Sequence, residues 1–416
     1  MVRTRTTALL LLGLMLGCSS PDPGVDAAGV DAASVDAASR VDASESGDDA
    51  GVDAHVGVDA AEPQDAGVDA ASEIDAALPP PTWHVETVAR TGAPDFSVSL
   101  AVAGGSRAIG WFDAADDRGH VAHRSASGWS SEIVEDADFT GYAMNVALDT
   151  SGRTRVVYHR ALGYDLVYGT RDDAGDWTLT PVRPARALGW LVRAMLVDDV
   201  FHTVSMTSDA PQGVAYVVGS GTTWTEELAY EHVGSPAGGT GPQGIAVHEG
   251  RVLALLIHEP SGSTSDALLA VRALDGTWTN ELVHSGVMAA TGMTGLAVDA
   301  AGEPHFCFDS WDDQLIYVER VAGEWRSETI DAAPRDYHCA IAADSAGRVH
   351  LAYNGGMGVY YLVRDAGAWS PAVRVDDTPG AGLPIDLRLD ESELPHLAYA
   401  IWSPGESTLR YAWLGL

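Results

Sequence analysis

The sequence predicts an all-β fold made of seven copies of one four-stranded unit. The first observation is a tryptophan that recurs every 44 to 54 residues, at Trp83, Trp129, Trp177, Trp224, Trp278, Trp325 and Trp369. The second is that the intervals share short β-branched and aromatic phrases separated by turn residues, which is the pattern of strands. Seven units of roughly 40 to 50 residues are typical of a seven-bladed β-propeller.

Four phrases, labelled A to D in chain order, recur in these units. Phrase A is an apolar run that ends in an aspartate, as at Asp149, Asp299, Asp344 and Asp390. Phrase B follows after a turn, as in HLAY ending at Tyr353, phrase C is next, as in LVYGTR ending at Arg171, and phrase D begins at the tryptophan. No stretch of residues 82–416 supports a long amphipathic helix. A pair of β-sandwich domains is the alternative fold, but it does not explain seven similar units.

The ends of the repeat region predict how the ring closes. Trp83 opens the region with a D phrase that has no preceding A, B or C, and the chain finishes on a C phrase, LRYAWLGL. The N-terminal strand therefore supplies the outer strand of the last blade, which leaves no open sheet edge between the ends.

A histidine stands at the start of phrase B in four units, at His202, His305, His350 and His396. A catalytic residue is needed once, whereas a packing or hydrogen-bonding residue is needed in every blade. We therefore predict a structural role for these histidines. The same reasoning applies to the glutamates three residues after a repeated tryptophan, which are Glu86, Glu132, Glu227, Glu281 and Glu328.

Residues 1–17 have the features of a secretory signal, with a short basic region, an apolar run too short to span a bilayer, and Cys18 directly after it. The segment resembles a bacterial lipoprotein signal, which implies lipidation of Cys18 and attachment to the cell envelope, with Ser19 favouring the outer membrane. A plain signal peptide with a chance cysteine is the alternative.

Residues 18–81 predict a disordered tether, because this acidic stretch repeats Val-Asp-Ala and holds no aromatic residue to form a core. A calcium-binding repeat is disfavoured, since its spacing lacks the glycines that such loops need. The whole chain has a formal net charge of −35 and no lysine. This composition argues against nucleic-acid binding.

Ligand-binding residues are expected on the longer connections between phrases B and C and between phrases D and A, because these differ in every unit. Their aromatic, imidazole and carboxylate groups suit a sugar ring, which stacks on a flat face and forms hydrogen bonds at its rim. The candidates are Trp111, Asp113, His159, His258, Asp309, Trp311, Tyr337, His338 and Trp402. The competing interpretation is that several of them only pack between blades.

No cofactor is required by any motif, although two acidic groups suggest a calcium site. One is Asp309 with Asp312 and Asp313, and the other is Asp113 with Asp116 and Asp117. Cys307 and Cys339 remain as an even pair in an exported chain. Blade separation disfavours a disulfide between them, whereas convergence of the sheets toward the ring axis favours one, and the pairing stays open.

Glycine-containing turns before strand D, as in DDAGDW ending at Trp177 and LDGTW ending at Trp278, resemble the BNR/sialidase-like group of bacterial propellers and, more distantly, propeller lectins. The resemblance implies a glycan ligand. Sialidases hold a substrate carboxylate with three arginines, and only Arg193 and Arg335 can be placed near the channel mouth. Related propellers include polysaccharide lyases, for which Arg335, Tyr337 and His338 would supply the required groups.

The sequence therefore favours a monomeric, surface-anchored binding module over an enzyme. Its expected ligand is a glycan, with a protein partner as the second option, and its only expected membrane contact is the lipid. Lyase or hydrolase activity is the alternative function.

Overall fold

The computed structural model describes residues 81–416, apart from 93, 164, 183–186, 208–210, 233–239, 260–264, 288–293, 311, 313, 332–337, 404–405 and 416. The signal segment, Cys18 and the tether up to residue 80 lie outside the described residues, so their assignments stay predictions. Within the described part the elements are strands and turns. No helix there is long and apolar enough to cross a membrane.

The strands form seven antiparallel sheets; in blades 1 to 6 the chain runs from the innermost strand outward, and in blade 7 the N-terminal strand of the chain is the outermost one. Blade 1 contains β2 (Pro94–Ala103), β3 (Ser106–Asp113), β4 (Arg118–Ser125) and β5 (Gly128–Ile133), and blade 2 contains β6 (Thr140–Leu148), β7 (Thr154–Arg160), β8 (Asp165–Arg171) and β9 (Trp177–Val182). Blade 3 contains β10 (Leu188–Val197), β11 (Val200–Thr207), β12 (Gly213–Ser220) and β13 (Thr223–Glu231), and blade 4 contains β14 (Thr240–His248), β15 (Arg251–His258), β16 (Ser265–Arg272) and β17 (Trp278–Val287). Blade 5 contains β18 (Thr294–Val298), β19 (Pro304–Asp309), β20 (Leu315–Val321) and β21 (Glu324–Asp331), and blade 6 contains β22 (Cys339–Ala343), β23 (Val349–Asn354), β24 (Val359–Asp365), β25 (Ala368–Trp369) and β26 (Val373–Asp376). Blade 7 contains β27 (Ala381–Leu389), β28 (Pro395–Ile401), β29 (Ser407–Gly415) and the N-terminal β1 (Thr82–Thr91).

Each innermost strand contacts the innermost strands of both neighbouring blades, and β2 contacts β27, so the blades form a closed ring. The seven-bladed propeller predicted from the sequence is confirmed. Strand β1 pairs with β29 along its length, from Thr82 opposite Gly415 to Thr91 opposite Ser407. The predicted closure by the N-terminal strand is therefore also confirmed.

The repeated histidines form hydrogen bonds inside their own blades. Each Nδ1 lies 2.5 to 2.7 Å from a tyrosine hydroxyl on the next strand, in the pairs His202–Tyr216, His305–Tyr317, His350–Tyr361 and His396–Tyr411. In blade 6 the opposite nitrogen, Nε2 of His350, lies 3.2 Å from the carboxylate of Asp344 in the A–B turn. Burial lowers the pKa of His350, so its neutral imidazole donates to Asp344 and accepts from Tyr361.

Arg155 takes the histidine position in blade 2 and contacts the same two groups, the Tyr168 hydroxyl and the Asp149 carboxylate, at 2.6 Å each. A side chain with different chemistry thus preserves the same contacts. These contacts support a structural role for the repeated histidines, whose partners are a tyrosine and an A–B turn of the same blade.

Adjacent blades are joined by a second repeated arrangement at their outer strands. Glu227 of blade 3 accepts hydrogen bonds from Arg272 at 2.6 Å and from the Trp278 indole at 3.0 Å, both in blade 4. The bond from Arg272 lowers the pKa of Glu227, which stays ionised at neutral pH. Glu86 and Glu132 receive matching arginine and tryptophan contacts from the next blade. The repeated glutamates and tryptophans therefore stabilise the blade interfaces.

Two local features distinguish blades 5 and 6. A disulfide joins Cys307 on β19 to Cys339 on β22, with a Cα–Cα distance of 6.3 Å. This span lies within the range that disulfides require, because the two sheets converge near the axis. The outer strand of blade 6 is split into β25 and β26, since Pro371 between them has no N–H to donate to the ladder.

Candidate functional site

The connections define two faces of the ring. The constant-turn face carries the short A–B and C–D turns, and the variable-loop face carries the B–C and D–A connections. In the A–B turn of blade 6, the Asp344 carboxylate accepts from the backbone of Ala346 and Arg348, and the same pattern recurs at Asp149, Asp299 and Asp390. These four A–B turns are alike because their aspartates fold them in the same way. Candidate ligand residues therefore belong to the variable-loop face.

The predicted loop placement is wrong for five candidates, which lie in the last three residues of the second strand of a blade: Trp111, Asp113, His159, His258 and Asp309. Trp111 is 2% exposed and packs in an apolar cluster with Val98 and Leu409, which leaves no face of the indole open to a ligand. Asp113 is also buried, and its carboxylate accepts hydrogen bonds from the N–H groups of Gly92 and Ala115 at 3.1 and 2.9 Å.

His159, Asp309 and His338 are buried as well. Burial lowers the pKa of His159 to about 4, and a hydrogen bond with the backbone of Leu188 in the next blade opposes this shift. His338 is held through its backbone, which donates to the Asn354 side chain and accepts from the Asn354 N–H. These three residues lie on the variable-loop face close to the ring axis, where the blades converge. Trp311, Arg335 and Tyr337 lie outside the described residues.

Among the predicted site residues that the structure describes, Trp402 is the most open to solvent. It lies between β28 and β29 with 57% of its surface exposed, and Met357, at 58%, lies in the corresponding connection of the neighbouring blade. An ion pair joins Arg90 to Glu406 beside the same connection, with a 3.0 Å separation and both side chains more than half exposed. This group, called the Trp402 platform, combines a flat apolar surface with a planar donor and a carboxylate.

A second group joins blades 3 and 4 on the same face, and it brings together residues from both kinds of variable connection. His258 ends strand β15, and its Nδ1 lies 3.4 Å from the hydroxyl of Tyr230 on β13. Its ring also lies 5.1 Å, centroid to centroid, from that of His232. All three side chains are partly exposed.

Burial and then the nearby His232 lower the pKa of His258, whereas burial raises the pKa of Tyr230. At neutral pH the imidazole is therefore free of charge and able to accept a proton, and the phenol keeps its proton. This Tyr230–His258 pair has the proton donor and acceptor that general acid–base catalysis requires.

A third group lies on the variable-loop face of blade 1, at the connection between β3 and β4. One ligand atom from each of Asp113, Asp116 and His120 lies within 4.8 Å of the others. The Nε2 atom of His120 is 3.0 Å from the Asp116 carboxylate, and its ring stacks on Trp111 with 5.2 Å between centroids. The proposed calcium set of Asp113, Asp116 and Asp117 thus differs from the observed cluster, in which an imidazole takes the place of Asp117.

Two clefts open on the opposite, constant-turn face. One, of about 310 Å³, lies between blades 4 and 5 and includes Glu281, Glu303 and Arg320. The other, of about 270 Å³, lies between blades 1 and 2 and includes Arg171 and Asp173. Arg320 and Arg171 already bind carboxylates of the adjacent blade, Glu281 and Glu132. Both clefts therefore border the contacts that hold neighbouring blades together.

The other arginine assigned to the channel mouth, Arg193, is used in the ring itself. Its guanidinium donates to the backbone oxygens of Gln243 in the next blade and of Val192 in its own. Asn145 satisfies backbone groups of Val192 and Ala194 in the same manner. The exposed backbone edge of the inner strands explains this use, because unpaired N–H and C=O groups there need partners.

Sequence reasoning missed His120, Arg90 and Glu406. His120 follows Asp116 by four residues, a spacing that a short turn can bring together, but the residue falls inside a strand phrase. Arg90 and Glu406 are 316 residues apart and meet only because β1 pairs with β29.

No known protein family and no curated protein matches the sequence. Solved structures resemble it in fold. The polysaccharide lyase Uly1 is 10% identical, with 80% of this chain and 91% of the lyase covered at a TM-score of 0.52. AofleA from Arthrobotrys oligospora is 11% identical, with 72% and 91% covered at 0.46. The Aleuria aurantia lectin, described as a six-bladed β-propeller with a novel fucose recognition mode, is 14% identical, with 77% and 93% covered at 0.41.

At these identities the comparisons establish the fold alone. The chain is a seven-bladed β-propeller with a distant likeness to fungal propeller lectins.

Proposed function

We propose that this protein is a binding module that takes a glycan on its variable-loop face. The observation that carries the proposal is the Trp402 platform, because 57% of the surface of this large aromatic residue stays exposed to water in the folded protein. Stacking a sugar ring on the indole would remove from water the apolar face of the sugar and the indole face that it covers.

The ion pair within the platform suits the rim of a sugar. Arg90 and Glu406 are both largely exposed, so their mutual attraction contributes little to stability and is easily exchanged. A guanidinium donates to sugar hydroxyl oxygens, and a carboxylate accepts from sugar hydroxyl groups. The lipid anchor proposed at Cys18 and the tether would hold the propeller away from an outer membrane, where it meets glycans in the surroundings.

The test is a glycan array probed with the full chain, with and without added divalent cation, followed by titration of the strongest glycan. Trp402→Ala should weaken binding at least about tenfold, equivalent to about 1.4 kcal/mol. Leu274→Ala is the matched control, since Leu274 is 74% exposed on the constant-turn face. Equal affinities for both variants, or no glycan bound by the unaltered protein, would contradict the proposal.

A second candidate function, polysaccharide lyase activity, is favoured by the Tyr230–His258 pair. In an eliminating cleavage of a uronic polysaccharide, a base removes the proton from C5. The C5–H electron pair then forms a C4–C5 double bond as the C4–O bond breaks, and an acid protonates the departing oxygen. A neutral His258 fits the base and Tyr230 fits the acid. The lyase Uly1, similar in fold, acts on a polysaccharide.

Lyase activity is tested by following the ultraviolet absorbance of the new double bond with uronic polysaccharides as substrates. His258→Gln and Tyr230→Phe should each abolish turnover and leave glycan binding at Trp402 intact. Binding without any rise in absorbance would exclude this second function and leave the binding function standing.

A further inference from the structure

The cluster of Asp113, Asp116 and His120 sits where the ring closes. Asp113 ends β3, Asp116 lies in the connection to β4, and His120 is the third residue of β4. In the β3–β4 ladder, Trp111 pairs with His120 and Asp113 pairs with Arg118. Since alternate strand residues share a face and directly paired residues lie on the same side, Trp111, Asp113 and His120 point to one side of the sheet.

The hydrogen bonds of Asp113 tie this cluster to the closing strand. Both of its carboxylate oxygens accept from the N–H of Gly92, the residue that follows the end of β1. Any ligand that fixes Asp113 therefore also fixes the passage from the outer strand of blade 7 into blade 1.

A separate observation points to a bound group at this position. Among the described residues, Trp111 Nε1 and Thr91 Oγ1 are buried and lack a hydrogen-bond partner, and their residues are 2% and 4% exposed. Trp111 stacks on His120, and Thr91 directly precedes Gly92. A buried polar group without a partner costs about 1 to 3 kcal/mol, and both groups belong to residues next to the cluster in space or in the chain. Polar groups beside metal ligands commonly bond to the ligands or to metal-bound water.

We propose that Asp113, Asp116 and His120 together bind one divalent cation of the zinc class at the junction of blades 7 and 1. Two carboxylates and an imidazole form a mixed oxygen and nitrogen set, which zinc accepts and which calcium and magnesium, with their preference for oxygen, disfavour. The chemistry of this set therefore favours zinc over the calcium that the sequence suggests, and the experiment below compares the two ions.

The dimensions suit this ion. With bonds of about 2.0 to 2.1 Å, tetrahedral ligand atoms lie roughly 3.3 Å apart. His120 Nε2 and the Asp116 carboxylate are already 3.0 Å apart, and all three ligand atoms fall within 4.8 Å, so small side-chain rotations complete the geometry. Three protein ligands leave one coordination position for water or for a ligand hydroxyl.

The experiment uses the full chain without an added histidine tag, at pH 7.5. Zinc chloride is titrated by calorimetry, and the melting temperature is measured with zinc, with calcium and after EDTA. We expect one zinc ion per chain and a melting temperature higher by about 3 to 4 °C when free zinc is 100-fold above Kd. Calcium should give no such increase, and EDTA should reverse the effect of zinc.

Asp116→Asn and His120→Gln should each weaken zinc binding at least about 100-fold and abolish the rise in melting temperature. Asp116 is suitable because its side chain is 37% exposed, which limits the cost of the substitution to folding. His232→Gln is the matched control, since it removes an imidazole from the same face in another blade. The proposal is overturned by the absence of saturable zinc binding, by variants that bind like the unaltered chain, by loss of binding in the control alone, or by a response to calcium rather than zinc.

Discussion

Mild acid should destabilise the propeller through His159, and the size of this effect follows from its burial. The residue is 0% exposed, and its pKa in the folded protein is about 4, against about 6.5 in an unfolded chain. The unfolded chain therefore binds the proton first as the pH falls. The stabilising contribution is complete above pH 6.5 and is lost as the pH falls from 6.5 to about 4.

The shift of about 2.5 pH units corresponds to about 3 kcal/mol in total, of which about 2.4 kcal/mol falls between pH 7 and pH 4.5. The assay is chemical denaturation of the full chain at these two pH values, for the unaltered protein and for His159→Leu. The loss of unfolding free energy on acidification should be smaller in the variant by about 2 to 3 kcal/mol.

The measured quantity is the difference in unfolding free energy between the two pH values, so any constant cost of losing the Leu188 contact cancels. His84→Gln is the control, because His84 is exposed on the outer strand of blade 7 and its variant should keep the full pH dependence. An unchanged pH dependence in His159→Leu would refute the reasoning, since it would mean that the buried imidazole titrates normally.

Three further predictions concern the fold. Replacing His350 with alanine should lower the free energy of unfolding in denaturant by about 1 to 3 kcal/mol, because the Tyr361 hydroxyl and the Asp344 carboxylate lose a buried partner. Glycan affinity should be unchanged, and a loss of affinity in the folded variant would contradict the structural assignment. A chain that begins at Thr82 should melt like the mature protein. A chain that begins at Arg90 should lose at least about 4 kcal/mol of unfolding free energy, because it lacks the apolar contacts of Trp83, Val85 and Val88. Equal melting of the two chains would disprove closure by β1. Replacing Cys307 and Cys339 together with serine should cost about 3 to 4 kcal/mol, as expected for a bridge that spans 32 residues, and an unchanged midpoint would show that the bridge adds no stability.

The fold was predictable because the same side-chain contacts recur in most blades and leave a periodic trace. Tryptophan and glutamate recur together because the glutamate of one blade accepts a hydrogen bond from the tryptophan of the next, as Glu227 does from Trp278. The substitution of Arg155 for histidine shows the limit of this periodicity, because contacts are preserved where the residue type is not. The split strand at Pro371 was not predicted, since the phrase around Trp369 still reads as one strand.

The site was less predictable because exposure depends on contacts between distant segments. Trp111 and Trp402 both follow an apolar B phrase, yet Trp111 is buried against blade 7 and Trp402 is open to solvent. The decisive difference lies in where each B strand ends, since β3 continues to Asp113 and β28 stops at Ile401. Sequence alone does not reveal this difference.

The central claim is that the variable-loop face, and not the constant-turn face, binds the ligand. It is tested most directly by titrating the strongest array glycan against Trp402→Ala and against two variants that line the opposite clefts, Glu303→Gln and Asp173→Asn. We predict that Trp402→Ala weakens binding at least about tenfold and that both cleft variants bind like the unaltered chain. Tenfold weaker binding in a cleft variant together with unchanged affinity in Trp402→Ala would contradict the account and place the ligand between the blades.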